Sequence, residues 1–155
     1  MTTSGPAFLV DSQSALLTSV LDRIIPPDGA LPGAGQLGVA DHIDRVLGSS
    51  AGFRMLFTSG LAHIEITSHK RHAQGFAGLS AADKDGILRD VESSEADFFA
   101  DLVRHAYNGY YTDRKVVELR GLEARPPQPT GYSVETGNLG LIENVKKRGQ
   151  VYRDA

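Results

Sequence analysis

Apolar residues recur at helical spacing through most of the first 120 residues, and this periodicity restricts the chain to few folds. Within residues 14–25 they fall at i, i+1, i+4, i+5, i+8 and i+9, which places them along one side of a helix. They are Leu16, Leu17, Val20, Leu21, Ile24 and Ile25. The same spacing returns within residues 52–73 and 98–107, whereas no two segments show the alternation typical of paired strands. The sequence therefore predicts an all-α fold, a small helical domain of five or six helices.

Proline, glycine and serine residues mark where the first helices are expected to end. Pro26-Pro27 stops the first helix, since a proline nitrogen cannot donate a backbone hydrogen bond. A second helix is expected from residue 36 or 37 to Leu47, with Gly48-Ser49-Ser50 as its break. A longer third helix is predicted over residues 52–73.

Capping residues mark the later helices. Ser80 followed by Asp83 resembles a capping box, which predicts a helix start. Ser94 is expected to cap the next helix, and Asn108-Gly109 to stop it, because both residue types adopt the left-handed conformation readily. Two shorter helical segments are predicted at residues 113–119 and 141–150.

The composition of the chain changes after Leu119. Residues 121–140 contain three prolines and four glycines but few large apolar side chains. Ordering the backbone of one residue costs about 1–2 kcal/mol, whereas burying a large apolar side chain contributes only about 1.5–3 kcal/mol. Such a segment is therefore expected to be either disordered in the free protein or laid along another surface. We divide the chain into a flexible N-terminus, a helical domain and an extended partner-binding arm, over residues 1–13, 14–120 and 121–155.

Tyrosine and proline indicate how such an arm would bind. Tyrosine is enriched at protein interfaces because it combines a large contact area with a polar tip. Pro126-Pro127-Gln128-Pro129 favours an extended chain that has less entropy to lose on binding. The residues expected to contact a partner are Tyr110, Tyr111, Pro126, Pro127, Pro129 and Tyr132. The alternative is that these tyrosines are ordinary loop residues.

Composition excludes several classes of function. The chain has no cysteine, which excludes disulfide scaffolds, thiolate metal sites and cysteine nucleophiles. Its net charge of −3 lacks the basic character typical of nucleic-acid binding. No apolar run approaches the ~18 residues of a membrane span.

Gly33 to Gly38 fit the G-x-G-x-x-G pattern of dinucleotide-binding loops. That motif requires a buried strand before the loop and a second strand after the following helix. Here the preceding element is a helix closed by Pro26-Pro27, and another helix follows. We interpret the glycines as a flexible loop and a tight helix start, and we predict no cofactor-binding residue on this chain.

Glu65, His69 and His72 lie at i, i+4 and i+7, a spacing at which carboxylate and imidazole groups can share a metal ion. The neighbouring Lys70 and Arg71 favour a solvated polar surface instead, so no metal site is predicted and these three residues form a weak candidate. The alternative function is accordingly a stand-alone helical metal-binding protein or a homo-oligomeric regulatory protein. The remaining acids that could serve as a general acid or base are interpreted as solvated charges on outward helix faces: Asp41, Asp44, Glu92, Glu95 and Asp97. No catalytic residue is predicted.

Several short motifs occur together along residues 14–133. They are Leu17 to Pro26, Pro32-Gly33-Ala34, Gly38-Val39, Ile43-Asp44, Asn108-Gly109-Tyr110-Tyr111, and Arg125-Pro126-Pro127 to Thr130-Gly131-Tyr132. Together they resemble the gluconate 2-dehydrogenase subunit 3 family, which includes the small subunits of bacterial FAD-dependent glucose dehydrogenases. The resemblance adds Arg125 to the residues expected to contact a partner.

This resemblance implies a non-catalytic small subunit that binds a large flavoprotein of the glucose–methanol–choline (GMC) oxidoreductase type. The partner, and not this chain, would hold FAD and oxidise a sugar or polyol. The small subunit would support the folding, flavin loading and stability of that partner. The resemblance also allows an electron-transfer cytochrome as a further partner.

Members of this family often carry a twin-arginine export signal, and this sequence departs from that pattern. Its first basic residue is Arg23, so a positively charged n-region is missing. We therefore expect the complex to be cytoplasmic. The alternative is a periplasmic complex, if the partner carries the export signal.

Overall fold

A computed structural model of the chain describes residues 8–122 and 137–149. The chain divides into two compact units, residues 1–124 and 125–155. In the first unit, the α-helices are α1 (Asp11–Ile24), α2 (Val39–Leu47), α3 (Ala51–His72), α4 (Ala81–Ser94), α5 (Ala96–Tyr111) and α6 (Arg114–Leu119). The second unit contains α7 (Glu143–Lys147), and 3-10 turns occur at Phe76–Gly78 and Leu139–Ile142. The predicted all-α fold is confirmed: residues 8–122 and 137–149 form no β-strand, only an isolated bridge between Asp28 and Leu31.

Helix α1 is the central element of the first unit, since it packs against α2, α3, α4 and α5. Leu17, Val20 and Leu21 are fully buried, as the apolar stripe of the sequence predicts. Among the described residues, none of the helices is both long enough and apolar enough to cross a membrane.

The ordered helical domain begins earlier than the sequence boundary at residue 14. Helix α1 starts at Asp11, and Leu9 is already buried in the core. The Asp44 carboxylate accepts hydrogen bonds from the backbone nitrogens of Phe8 and Leu9, at 3.0 and 2.7 Å. Asp44 is therefore not the solvated charge that the sequence predicted, because it fixes the chain entering α1 onto α2.

Helices α3 and α5 approach each other at a glycine. A Cβ atom on Gly60 would lie 2.3–2.4 Å from three carbons of the Phe98 ring, which covers this position. Phe98 in turn packs edge-on against Phe57, with ring centroids 5.3 Å apart. The fully buried ring thus fills the space that a side chain at residue 60 would occupy.

Two predicted helix ends are wrong. Ser94 does not cap α5, because its hydroxyl donates to the Asp90 carbonyl and the N-cap position is Glu95. Helix α5 also continues through Asn108-Gly109 to Tyr111. Gly109 serves close packing instead, since a Cβ there would lie 2.8 Å from Val39 Cγ1. The Ser80 cap is confirmed by the bond from the Asp83 nitrogen to Ser80 Oγ, 3.2 Å long.

The packing of α2 on α5 places His42 and His105 near each other in partly buried positions. Burial lowers the pKa of His42, and the charge of Arg45 lowers this pKa further. Burial also lowers the pKa of His105, with Arg104 contributing in the same direction. Both effects favour the neutral imidazole in the folded protein.

We predict that Gly60→Ala lowers the free energy of unfolding by at least about 2 kcal/mol, because the added methyl group overlaps the Phe98 ring. The matched control is Gly86→Ala in α4, where nothing lies within 4 Å of an added Cβ. That substitution is expected to be neutral or to stabilise the protein by up to about 1 kcal/mol. Urea denaturation measures both effects, and equal stability of the two variants would refute this packing.

We predict that the free energy of unfolding falls as the pH decreases below about 6.5, the ordinary histidine pKa. In this pH range His42 and His105 bind more protons in the unfolded chain than in the folded protein, because folding lowers their pKa values. At pH values well above about 6.5 both groups are neutral in the folded and the unfolded state, so their contribution stays constant. A His42→Gln/His105→Gln variant should lose less stability than the wild type between about pH 7 and about pH 5. Urea denaturation at both pH values tests this, and an identical loss in both proteins would contradict it.

Candidate partner interface

The C-terminal half of α5 exposes two tyrosines beside an arginine. Tyr107 and Tyr111 are 47% and 46% exposed, and their rings meet edge to face with centroids 5.8 Å apart. The Arg120 guanidinium lies 5.3 Å from the centroid of the Tyr111 ring, which is a cation–π contact. We call Tyr107, Tyr111 and Arg120 the aromatic face. Tyrosine and arginine are the residue types that most often dominate binding energy at protein interfaces.

Exposed leucines continue from the aromatic face along the chain. Leu119 is 46% exposed at the end of α6, and Leu122 is 62% exposed just after it. Asp113 caps the start of helix α6, and its carboxylate accepts from the Lys115 nitrogen at 2.8 Å. Gly121, two residues after the helix ends, has a φ of +72° and turns the chain away from the helix. Large apolar side chains are thus presented to solvent where the arm begins.

Tyr110 lies in the core, although the sequence placed it among the partner-contacting residues. Its side chain is 2% exposed, and its hydroxyl donates to the Pro32 carbonyl at 2.8 Å. Burial raises the pKa of the Tyr110 phenol. Its ring also packs edge-on against Tyr111, with centroids 5.1 Å apart. Tyr110 therefore fixes the end of α5 and the orientation of Tyr111, while the surface is offered by Tyr107 and Tyr111.

The carbonyl that holds Tyr110 belongs to a loop fastened to α1 by Asp22. The Asp22 carboxylate accepts from the backbone nitrogens of Gly35 and Gln36, at 2.8 and 3.2 Å. A Cβ on Gly35 would lie 2.2 Å from the Thr18 carbonyl oxygen, so only glycine fits here. The loop therefore has one fixed position against α1.

This loop is also the G-x-G-x-x-G segment, and its backbone nitrogens are already engaged. Besides the two bound by Asp22, the nitrogen of Ala34 donates to the Ile25 carbonyl at 3.0 Å, and that of Leu37 donates to Gly33 at 2.9 Å. A phosphate-binding loop needs such groups to be free for its ligand. Gly33 and Gly35 thus serve close packing, whereas Gly38 supplies a left-handed backbone with a φ of +83°. The loop also follows a helix rather than a strand.

The weak metal candidate is not assembled in the fold. Glu65 Oε1 lies 3.4 Å from His69 Nε2, while Glu65 Oε2 accepts from the Phe76 nitrogen at 3.2 Å. Within residues 8–122 and 137–149, no three metal-ligating side chains come together, so His72 does not complete a site. The Glu65 carboxylate instead fastens the turn at Phe76–Gly78 to α3.

Five residues expected to contact a partner lie outside the described residues, and these expectations stay predictions: Arg125, Pro126, Pro127, Pro129 and Tyr132. Within the described part of the second unit, α7 and the turn before it supply the predicted last helical turns. Helix α7 contains no buried residue, and Ile142 and Val145 are 44% and 62% exposed.

Comparison with protein families gives one match that covers most of the first unit. The model of the family described as gluconate 2-dehydrogenase subunit 3 matches residues 11–123. Comparison with the curated proteins and with the solved structures gives no match. The matched range runs from the first residue of α1 to just beyond α6, and it includes the aromatic face.

We predict that Tyr110→Phe lowers the free energy of unfolding by about 1 kcal/mol, because it removes the hydrogen bond to the partly buried Pro32 carbonyl. Tyr107→Phe is the matched control, since Tyr107 is exposed on the same helix, and it should leave stability unchanged. Chemical denaturation of the two variants provides the comparison. A Tyr110→Phe protein as stable as the control would show that the bond does not fix the end of α5.

Proposed function

We propose, because this chain belongs to the gluconate 2-dehydrogenase subunit 3 family, that it is the non-catalytic small subunit of an FAD-dependent sugar or glycoside dehydrogenase. The family describes a small subunit of a dehydrogenase complex, so the partner is a catalytic dehydrogenase chain. We propose further that this partner is a flavoprotein of the GMC type and that it carries the FAD. An electron-transfer cytochrome is a third component that such a complex could recruit.

The aromatic face is the observation that carries this proposal. This surface consists of two half-exposed tyrosines and an arginine. It lies beside the buried Tyr110, whose hydroxyl is held by a hydrogen bond to the Pro32 carbonyl. A surface that is ordered before binding loses little conformational entropy on association. It therefore suits a stable complex between two subunits.

Four acidic groups of the helical domain are engaged in contacts that hold the fold, which supports placing the chemistry on the other chain. Three carboxylates accept backbone N–H groups and so fasten loops to helices: Asp22, Asp44 and Glu65. A fourth, Glu95, is hydrogen-bonded to His63 Nδ1 at 2.8 Å in a half-exposed contact between α3 and the α4–α5 junction. In this proposal these groups hold the binding surface in shape.

A subunit of this kind acts through binding energy. Whatever binds the native flavoprotein and not its unfolded chain shifts the folding equilibrium towards the native state. The aromatic face would bind first as a preformed platform, and the arm from residue 121 would extend the contact. The expected consequence is a more stable, more fully FAD-loaded catalytic subunit.

We predict that the catalytic subunit is soluble and FAD-loaded when it is co-expressed with this chain, and largely insoluble or FAD-poor when it is expressed alone. The readouts are soluble yield, the flavin absorbance per mole of protein, and dye reduction with a panel of sugars. Equal yield, flavin content and activity without this chain would refute the accessory role.

We predict that the Tyr107→Ala/Tyr111→Ala variant binds the catalytic subunit at least about 30-fold more weakly, as expected for an aromatic hot spot. Stability of the isolated variant should change little, because both rings are half exposed. The matched control is Val10→Ala/Ile66→Ala, which truncates two exposed apolar side chains, one at the N-cap of α1 and one on α3. Titration calorimetry gives both affinities, and an equal effect of the two double variants would exclude the aromatic face as the binding surface.

A further inference from the structure

An open cleft of about 440 Å³ lies where α2, α3 and α5 meet, and the residues of the aromatic face are not among those that line it. Its apolar wall is formed by Val46, Phe53 and Leu56. Arg104 and His105 of α5 also line the cleft, as do the small residues Ser49, Ser50 and Gly52. The His105 ring meets Phe53 edge to face, with centroids 5.1 Å apart.

The chemistry of the cleft combines an apolar wall with a cation at its edge. The lining residues include no carboxylate. Arg104 forms an ion pair with Asp101 on the same helix, yet a guanidinium group has five N–H donors, so it can donate to a second carboxylate. His105 contributes no second positive charge near neutral pH, because burial lowers its pKa. The matching occupant is an apolar side chain accompanied by a carboxylate.

The cleft is continuous with the aromatic face along α5. Arg104, Tyr107 and Tyr111 stand at i, i+3 and i+7, and all three are exposed, so they form one stripe on the solvent side of the helix. Seven residues of α-helix span about 10 Å. A specific interface buries about 800 Å² on each partner, which is more than two half-exposed tyrosines provide. A partner seated on the aromatic face must therefore contact neighbouring surface as well, and Arg104 at the cleft lies about one helical turn from Tyr107.

We infer that this cleft is a socket for the catalytic subunit, and that it receives a large apolar side chain of that subunit with a neighbouring carboxylate placed on Arg104. The inference rests on the proposed function, and it names a second anchor point on the same partner. Apolar anchors that fill preformed pockets commonly dominate the affinity of an interface.

The first test fills the socket without disturbing the core. A Cβ on Gly52 meets only Ser50 Oγ, at 3.8 Å, so Gly52→Trp is compatible with α3 and places an indole at the cleft. Gly86→Trp is the matched control, since Gly86 is also helical and has nothing within 4 Å of an added Cβ. The Gly52 variant should bind the purified catalytic subunit at least about tenfold more weakly, and the control should bind like the wild type.

The second test uses the absence of cysteine from the chain, which makes any introduced thiol unique. Ser49 lines the cleft and Ser93 lies on α4, and each is an exposed serine whose hydroxyl donates to a backbone carbonyl. In the complex, Ser49→Cys should react with maleimide at least about tenfold more slowly than in the free chain. Ser93→Cys should react at the same rate in both.

The third test addresses the carboxylate. Arg104→Glu should weaken binding by about tenfold or more through charge repulsion, whereas Lys70→Glu, an exposed charge reversal on α3, should not. If the wild-type complex forms but Gly52→Trp binds normally and Ser49→Cys stays reactive in it, the socket is wrong while the accessory function stands. If Arg104→Glu binds normally while the other two variants behave as expected, the proposed contact between Arg104 and a carboxylate of the catalytic subunit is wrong. If the wild-type chain forms no complex with the catalytic subunit, both the function and the socket fail.

Discussion

The Asp22 carboxylate is the contact on which the candidate interface depends. It binds two backbone nitrogens of the loop between α1 and α2, and this places the Pro32 carbonyl where the Tyr110 hydroxyl can reach it. Tyr110 then fixes the last turn of α5, from which Tyr111 is presented. A single carboxylate on the central helix α1 thus helps to position a surface whose residues are distant from it in the sequence.

Many of the motifs that resemble the family meet at this junction. Gly33 packs against the Asp22 carboxylate, and Gly109 packs against Val39 and His42. At both sites a side chain would separate elements that must touch for the loop, α2 and α5 to pack. The motifs are far apart in the sequence because they are the contact points of different elements, and their common purpose is visible only when the chain is folded.

Helix α5 links the core to both proposed binding sites. Its inner side carries Phe98 and Leu102, which are buried, while its outer side carries Arg104, Tyr107 and Tyr111. Tight contacts such as that of Phe98 with Gly60 fix the inner side of α5 on the core. They therefore also fix the helix backbone that carries the outer residues. Such rigidity is what a subunit needs if it is to stabilise another protein by binding alone.

The sequence by itself determined the helices, because the periodicity that defines them is local. It predicted α1, α3 and α6 within a few residues, and the Ser80 cap depends only on a residue three positions away. The prediction that α5 ends at Asn108-Gly109 was wrong, because the helix continues to Tyr111 and Gly109 packs against α2. The sequence also could not separate Tyr110 from Tyr111, since adjacent helical positions differ by about 100° and the neighbouring elements decide which side is covered. Tertiary structure alone decided that one tyrosine is an anchor and the other a surface, because burial is set by contacts between residues such as Pro32 and Tyr110 that are distant in the chain.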